Sequence, residues 1–245
     1  MDNLALVVNT HFSYRDLWGM FFDRIKEYFP GVKTYVFSNE GDFDPEYTAV
    51  YYDENQNFRS QFLSCIGEVK EKYCIFISED YILYDYPDEK LLTRYIDVLD
   101  EYKYLSFIRL LKGMSFNEPN FKNHKDLYEL SNVLPYFYSQ SAALWRVSHL
   151  SAIFKAGPDL HIAGEDENQQ FEVAANRICQ ELDMRGLYCY HGEPKRGIYH
   201  YDSVAFPHVA TAIIKGKWNL SEYPDELMPL LEKHNIDPTK RGIYK

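Results

Sequence analysis

The stretch EKYCIFISEDYILYD, residues 71–85, ends an apolar run on Glu79 and Asp80 before apolar residues resume. Carboxylates at such a point suit a hard divalent cation, because Mg2+ and Mn2+ keep several waters and take one or two carboxylates together with substrate phosphates. One ion of this kind is enough to neutralise a leaving diphosphate. The pair would equally serve as the polar start of a solvated loop. A second acidic stretch, GEDENQQFE, offers Glu165, Asp166, Glu167 and Glu172. A carboxylate close to a hydroxyl can act as a general base, taking its proton as the oxygen attacks. Asp166 with Gln169 also reads as a capping box, and acidic residues in a first turn stabilise a helix by about 0.3–1 kcal/mol, so a structural account of this cluster is available too. Lys215 and Lys217 could meet a diphosphate as point charges. Trp145 and Trp218 carry flat faces that suit the apolar side of a sugar ring, although large aromatics at strand ends commonly pack in a core.

These residues need a scaffold, and the chain supplies a regular one in its first third. LALVVNTH (4–11) reads as a buried strand. SYRDLWGMFFDRIKEYFPG spaces Leu17, Phe21, Ile25 and Tyr28 as a helix and stops at Pro30-Gly31. VKTYVFSNE and AVYYDE read as two further strands. NFRSQFLSCIGEVKEKY sets Phe58, Phe62, Ile66 and Val69 on one helical face. YCIFI is the next strand, so the first 85 residues alternate strand and helix, as a largely parallel sheet covered on both faces requires. Ligands of such sheets bind at the carboxyl ends of strands, where Asn9, Thr10, His11, Ser38, Asn39, Asp53, Glu79 and Asp80 fall. Further on, EYKYLSFIRLL and YFYSQSAALWR read as strands and KGMSFNEPNFKNHKDLYELSN as a polar loop with weak helical character. VSHLSAIFKAG, GEDENQQFEVAANRICQEL and DELMPLLEKH read as helices.

Composition narrows the function classes. A formal net charge of −11 argues against duplex nucleic acid as a partner, because that binding relies on clustered Lys and Arg. It also means that a phosphate ligand needs a cation or a few well-placed basic residues. Cys65, Cys74, Cys179 and Cys189 lack metal-ligand or C-x-x-C spacing and read as buried free thiols. No apolar run approaches about 20 residues and MDNLALVVNTH lacks a basic leader, which predicts a soluble, cytoplasmic protein with no transmembrane segment. A sugar-phosphate nucleotidyltransferase would carry a Gly-rich loop after the first strand, and NTHFSYRD contains no glycine. No G-x-S-x-G elbow of a serine hydrolase is present.

The order FISEDYILYD, YSQSAALWRVSHL, FEVAANR and IIKGKW resembles that of small bacterial and viral glycosyltransferases of the GT-A fold, family 2-like and inverting. The resemblance spans nearly the whole chain. It departs from the usual D-x-D in having Ser78-Glu79-Asp80, and from a W-e-f-E pattern in having Gln170-Phe171-Glu172. The resemblance implies a single-domain α/β GT-A (Rossmann-like) fold, with a mixed, mainly parallel sheet flanked by helices. Its nucleotide-binding half covers about 1–111 and its acceptor half about 112–245. It implies a nucleotide-diphosphate sugar donor, for example a UDP-sugar, a glycan or lipid-linked acceptor as in polysaccharide biosynthesis, and Mn2+ or Mg2+. Asp80 becomes the ligand of metal and diphosphate, with Glu79 assisting or contacting the ribose. Thr10, His11 and Asp53 line the base, and His208 or His200, out of a segment that also holds His191, supplies a further metal ligand. The general base is Asp166 or Glu172, with Glu165 in the same ED pair. Trp145 and Trp218 would face the acceptor. A strand-end role bonding nearby backbone stays open for His11. A catalytically inactive GT-A-fold protein that binds carbohydrate or other proteins is the alternative.

Overall fold

The computed structural model describes residues 3–114, 116–157 and 167–244. Along the first third, β1 (Leu4–Asn9), α1 (Arg15–Tyr28), β2 (Lys33–Ser38), β3 (Thr48–Tyr51), α2 (Phe58–Ile66) and β4 (Tyr73–Ser78) follow the expected alternation. Next come β5 (Ile82–Leu83), α3 (Glu89–Glu101), β6 (Leu105–Arg109), β7 (Leu127–Leu130) and β8 (Ala143–Arg146). They lead into α4 (Val147–Ala156), α5 (Glu167–Glu181) and β9 (Arg185–Cys189). The remainder is built from short pieces: β10 (Lys195–Arg196), β11 (His200–Tyr201), β12 (His208–Val209), β13 (Ile213–Ile214), β14 (Lys217–Trp218), α6 (Pro224–Lys233) and α7 (Pro238–Arg241).

Eight strands form one sheet in the order β3-β2-β1-β4-β8-β6-β9-β7. Pairs β3–β2, β2–β1, β1–β4 and β6–β9 are parallel, whereas β8 runs antiparallel to both β4 and β6, and β7 antiparallel to β9. Alternate residues of β1 serve opposite faces, as the two-residue period of a strand demands. Leu4, Leu6 and Val8 join the layer with α1, α3 and α6, while Ala5 and Val7 join the layer with α2, α4 and α5. That double cover explains why β1 and β4 read as unbroken apolar runs.

Three segments differ from the sequence expectation. α3 was not anticipated, yet Leu92, Tyr95, Val98 and Leu99 are its buried stripe and Asp88 caps it by accepting from Lys90 N and Leu91 N. β7 lies inside the segment read as a polar loop. Only Leu127 and Leu130 of its four residues are buried, because it is the edge of the sheet. α2 stops at Gly67, so Val69 packs from the following turn. The four cysteines are free and buried, as expected.

A charged network staples α3 to the segments flanking β7 and β9. Asp126 accepts from Arg94 and from Tyr95 Oη, and His191 Nε2 sits 3.1 Å from it while His191 Nδ1 sits 3.4 Å from Glu193. Asp126 first, and Glu193 second, raise His191 from 6.5 to about 9 against the cost of its burial. A raised histidine pKa contributes stability that is complete below pH 6.5 and is lost as pH rises through about 9. Wild-type protein is expected to lose about 2–3 kcal/mol between pH 6.5 and 9.5. His191→Gln should flatten that slope in denaturant titrations at the two pH values, and an identical slope in both proteins would contradict the assignment.

Candidate functional site

The carboxyl ends of β1, β3 and β4 open on a cleft of about 430 Å3. Thr10 and His11 from the end of β1, Tyr52 after β3, Ser78, Glu79 and Asp80 after β4, and Ile213, Lys215 and Gly216 from the β13–β14 hairpin line it. Phe58 and Gln61 of α2 complete one wall. The parallel register of β1 on β4, with Asn9 opposite Ser78, brings the two polar strand ends together.

Thr10 is the junction of the floor. Its Oγ1 accepts from Trp18 Nε1 at 2.8 Å, its carbonyl accepts from Tyr52 Oη at 2.8 Å, and its hydroxyl bonds the Glu79 carboxylate. Glu79 is only 6% exposed, and burial followed by the neighbouring Asp80 charge pushes its carboxyl up to about 8. Asp80 is partly buried, and desolvation pushes it up to about 6 although backbone N–H groups, including that of Ile213, bond its ionised form. Two adjacent carboxylates short of positive charge favour a cation between them and an anionic ligand.

His11 lines the cleft, but its Nδ1 caps the following turn by accepting from Ser13 N at 3.1 Å, and its Nε2 lies 3.6 Å from Glu54. It therefore does the backbone work left open for it as well as facing the cleft. Asp53 does not line the cleft: its Oδ1 closes a turn by accepting from Asn55 N at 3.0 Å and Asn55 Nδ2 at 2.8 Å, and Tyr52 occupies the expected place. Lys215 is at the cleft, whereas Lys217, on the outgoing strand, is not.

The histidines separate. His200 is committed to structure, with Nε2 3.0 Å from Tyr223 Oη and its ring stacked on Tyr223, which removes it as a metal ligand. His208 donates from Nδ1 to Phe206 O at 2.6 Å, packs against Tyr81, and keeps a buried Nε2 without a hydrogen-bond partner among the described residues. Burial pulls it down to about 4, so it is neutral with the Nε2 lone pair free. Among the described residues no three His, Cys, Asp or Glu side chains converge as a ready-made cage.

Trp145 and Trp218 are 1% and 0% exposed, and Trp145 stacks on Phe107 at 4.2 Å. Both are core residues, so neither can face an acceptor. Of the carboxylates proposed as base, Glu165 and Asp166 lie outside the described residues. Glu172 Oε1 accepts from Gln140 N at 2.6 Å. Desolvation first, then the charges of Asp80 and Glu172, raise the phenol of the partly buried Tyr81. Arg109, overlooked in the sequence, lies in the same neighbourhood; burial lowers its guanidinium to about 10, and Glu172 opposes that shift. A lone arginine at a strand end carries no sequence signal to single it out.

Neither a protein-family model nor a curated protein matches the chain. Among solved structures, TarS from S. aureus is similar with a TM-score of 0.50 at 11% identity, over 96% of this chain and 39% of that one. A TarS 1–349 structure gives 0.47 at 11% identity over 96% and 64%, and the bifunctional IspDF from Campylobacter jejuni 0.42 at 10% over 78% and 50%. The chain thus spans less than two thirds of each of these proteins. What the comparison with TarS shows is the fold, a GT-A-like, mainly parallel α/β sheet flanked by helices.

Proposed function

We infer that the protein is a nucleotide-sugar-dependent glycosyltransferase that moves a sugar from a nucleotide-diphosphate donor to a hydroxyl of a glycan or lipid-linked acceptor. The observation that carries this reading is the Glu79–Asp80 carboxylate pair, held at the mouth of β1 and β4 in a cleft shared with Lys215. Tyr52 and Phe58 offer apolar surface for a base, and Thr10 hydrogen bonds fix the floor beneath it. Asp80, assisted by Glu79, would hold Mn2+ or Mg2+, with substrate phosphate oxygens and water filling the remaining positions; His208 does not line the cleft. When bound, the ion would neutralise charge on the departing diphosphate. Lys215 adds a point charge on the same side. A carboxylate base, Asp166 with Glu165 or Glu172, would take the acceptor proton and give inversion.

The base assignment divides on one contact. Because Glu172 Oε1 is already engaged by Gln140 N, Glu172→Gln is expected to lower transfer less than Asp166→Asn, which should cost at least about tenfold. Initial rates of the two variants decide it, and losses below tenfold in both would remove both residues from the role. The overall reading is tested by incubating the protein with a panel of nucleotide sugars and manganese, with and without chelator, and measuring released nucleotide. Release that requires the metal supports it. Neither binding nor release with any donor would leave the non-catalytic alternative.

A further inference from the structure

The β13–β14 hairpin turns on Lys215-Gly216, with φ of 49° and 75°. Positive φ at both central residues matches the twist of a tight hairpin, but a lysine adopts that region at a cost, and such strain persists where the surroundings fix it. Here the fixing comes from residues 241–244. Trp218 N donates to Gly242 O at 2.9 Å, Tyr244 N donates to Trp218 O at 2.8 Å, and Trp218 forms a parallel bridge with Ile243.

Arg241 carries this attachment across the cleft. Its Nε donates to Asp16 Oδ2 at 3.1 Å and its Nη2 to Asp16 Oδ1, making a two-point pair. Nη2 also lies 3.5 Å from Ser13 O, Nη1 lies 3.5 Å from Gly216 O, and the guanidinium carbon stands 4.8 Å from the Tyr14 ring centroid. Ser13, Tyr14 and Asp16 form the entry to α1, directly after the cleft residue His11, whereas Gly216 is the tip of the facing wall. Tyr14 and Gly216 both line the cleft; Arg241 itself does not. Its side chain is 16% exposed, and its charge still reaches the Glu79 carboxylate.

We propose that Arg241 is a positioning residue for the diphosphate of a nucleoside-diphosphate ligand, bridging the entry of α1 to the β13–β14 tip so that Lys215 stands at the cleft and the Ile213 N–H stays on Asp80. This rests on reading the cleft as a nucleotide site. The physical need is clear, since an exposed lysine on a four-carbon stem meets an anion well only if its backbone is fixed beforehand. A two-point arginine–carboxylate pair supplies direction that a single charge does not. Pairs with one exposed member add little to global stability, so the effect belongs to binding.

The test is calorimetric titration with uridine or guanosine diphosphate and manganese. Arg241→Ala and Asp16→Asn are each expected to weaken binding about tenfold, with Arg241→Lys between them and wild type. Lys215→Ala should weaken it to a similar degree, and Arg241→Ala combined with Lys215→Ala should lose clearly less than the product of the two single losses, because Arg241 acts in part through Lys215. Unchanged binding in Arg241→Ala, or losses that multiply in the double variant, would overturn the proposal. Wild type that binds neither nucleotide would mark failure of the nucleotide reading instead. Hydrogen exchange over 213–218 then decides the clamp alone: faster exchange in Arg241→Ala supports it, and wild-type rates refute it.

Discussion

Asp80→Asn is expected to lower donor turnover by about 10²–10³-fold, the several kcal/mol that a metal ion contributes to stabilising charge in a transition state. The loss should appear in kcat and in metal-dependent nucleotide binding together, because the amide keeps the shape of the carboxylate and removes its charge. Unfolding cannot account for it. Folding drives the Asp80 carboxyl up to about 6, so its ionised form is disfavoured in the native state, and removing that partly buried charge should leave stability unchanged or about 1 kcal/mol higher. Metal binding by the wild type should also weaken as pH drops through about 6, where the Asp80 carboxyl of the metal-free protein takes up a proton. An Asp80→Asn protein that cleaves donor at the wild-type rate would leave the proposed chemistry without its central group.

The second large effect lies at the other end of the same sheet. Arg146, the last residue of β8, is 6% exposed and pairs across the sheet with Tyr73. Its Nε donates to Leu105 O at 2.8 Å, its Nη1 to Tyr73 Oη at 3.0 Å, and its Nη2 to Leu99 O, so one guanidinium joins β4, β6 and the end of α3. Tyr73 Oη passes the contact on to Asp100 at 2.8 Å. Arg146→Ala strands buried carbonyl oxygens and should cost about 3–5 kcal/mol. Arg146→Lys should recover only part of this, since an ammonium lacks the planar fork. Denaturant titration checks both, and a loss under 1 kcal/mol in the alanine variant would show that water or neighbouring groups replace the guanidinium. Donor binding, at the opposite strand ends, should survive in the folded fraction.

Much of the scaffold could be read from residue order alone, and the reasons are local. β1 and β4 are apolar throughout because helices cover both faces, and Pro30-Gly31 marks where α1 must stop. Glu79 and Asp80 stood out because they interrupt such a run. What could not be read depends on which distant segments meet. β7 is half polar because it is an edge strand, so its pattern resembled a loop. α3 has a clear stripe at Leu92, Tyr95, Val98 and Leu99, set between two strands whose apolar runs are the stronger pattern. Trp145 and Trp218 seemed available for a sugar because a tryptophan looks the same in a sequence whether it is 1% exposed or stacked against solvent. The displacement of Asp53 by Tyr52, and the arrival of Arg241 beside Asp16, are tertiary events that no spacing rule anticipates.

The position of β8 has a consequence for biosynthesis. β4 is complete at Ser78, but the strand that covers its free side begins only at Ala143, and β8 is what joins β6 to β4. At elongation rates of about 5–20 residues per second, a ribosome takes several seconds to supply that strand. Throughout that interval the apolar YCIFI segment presents unpaired backbone groups, the kind of template on which nascent chains join one another. Chaperone demand during translation should therefore peak before residue 146 emerges, and a circular permutant that delivers β8 earlier should give a larger soluble yield.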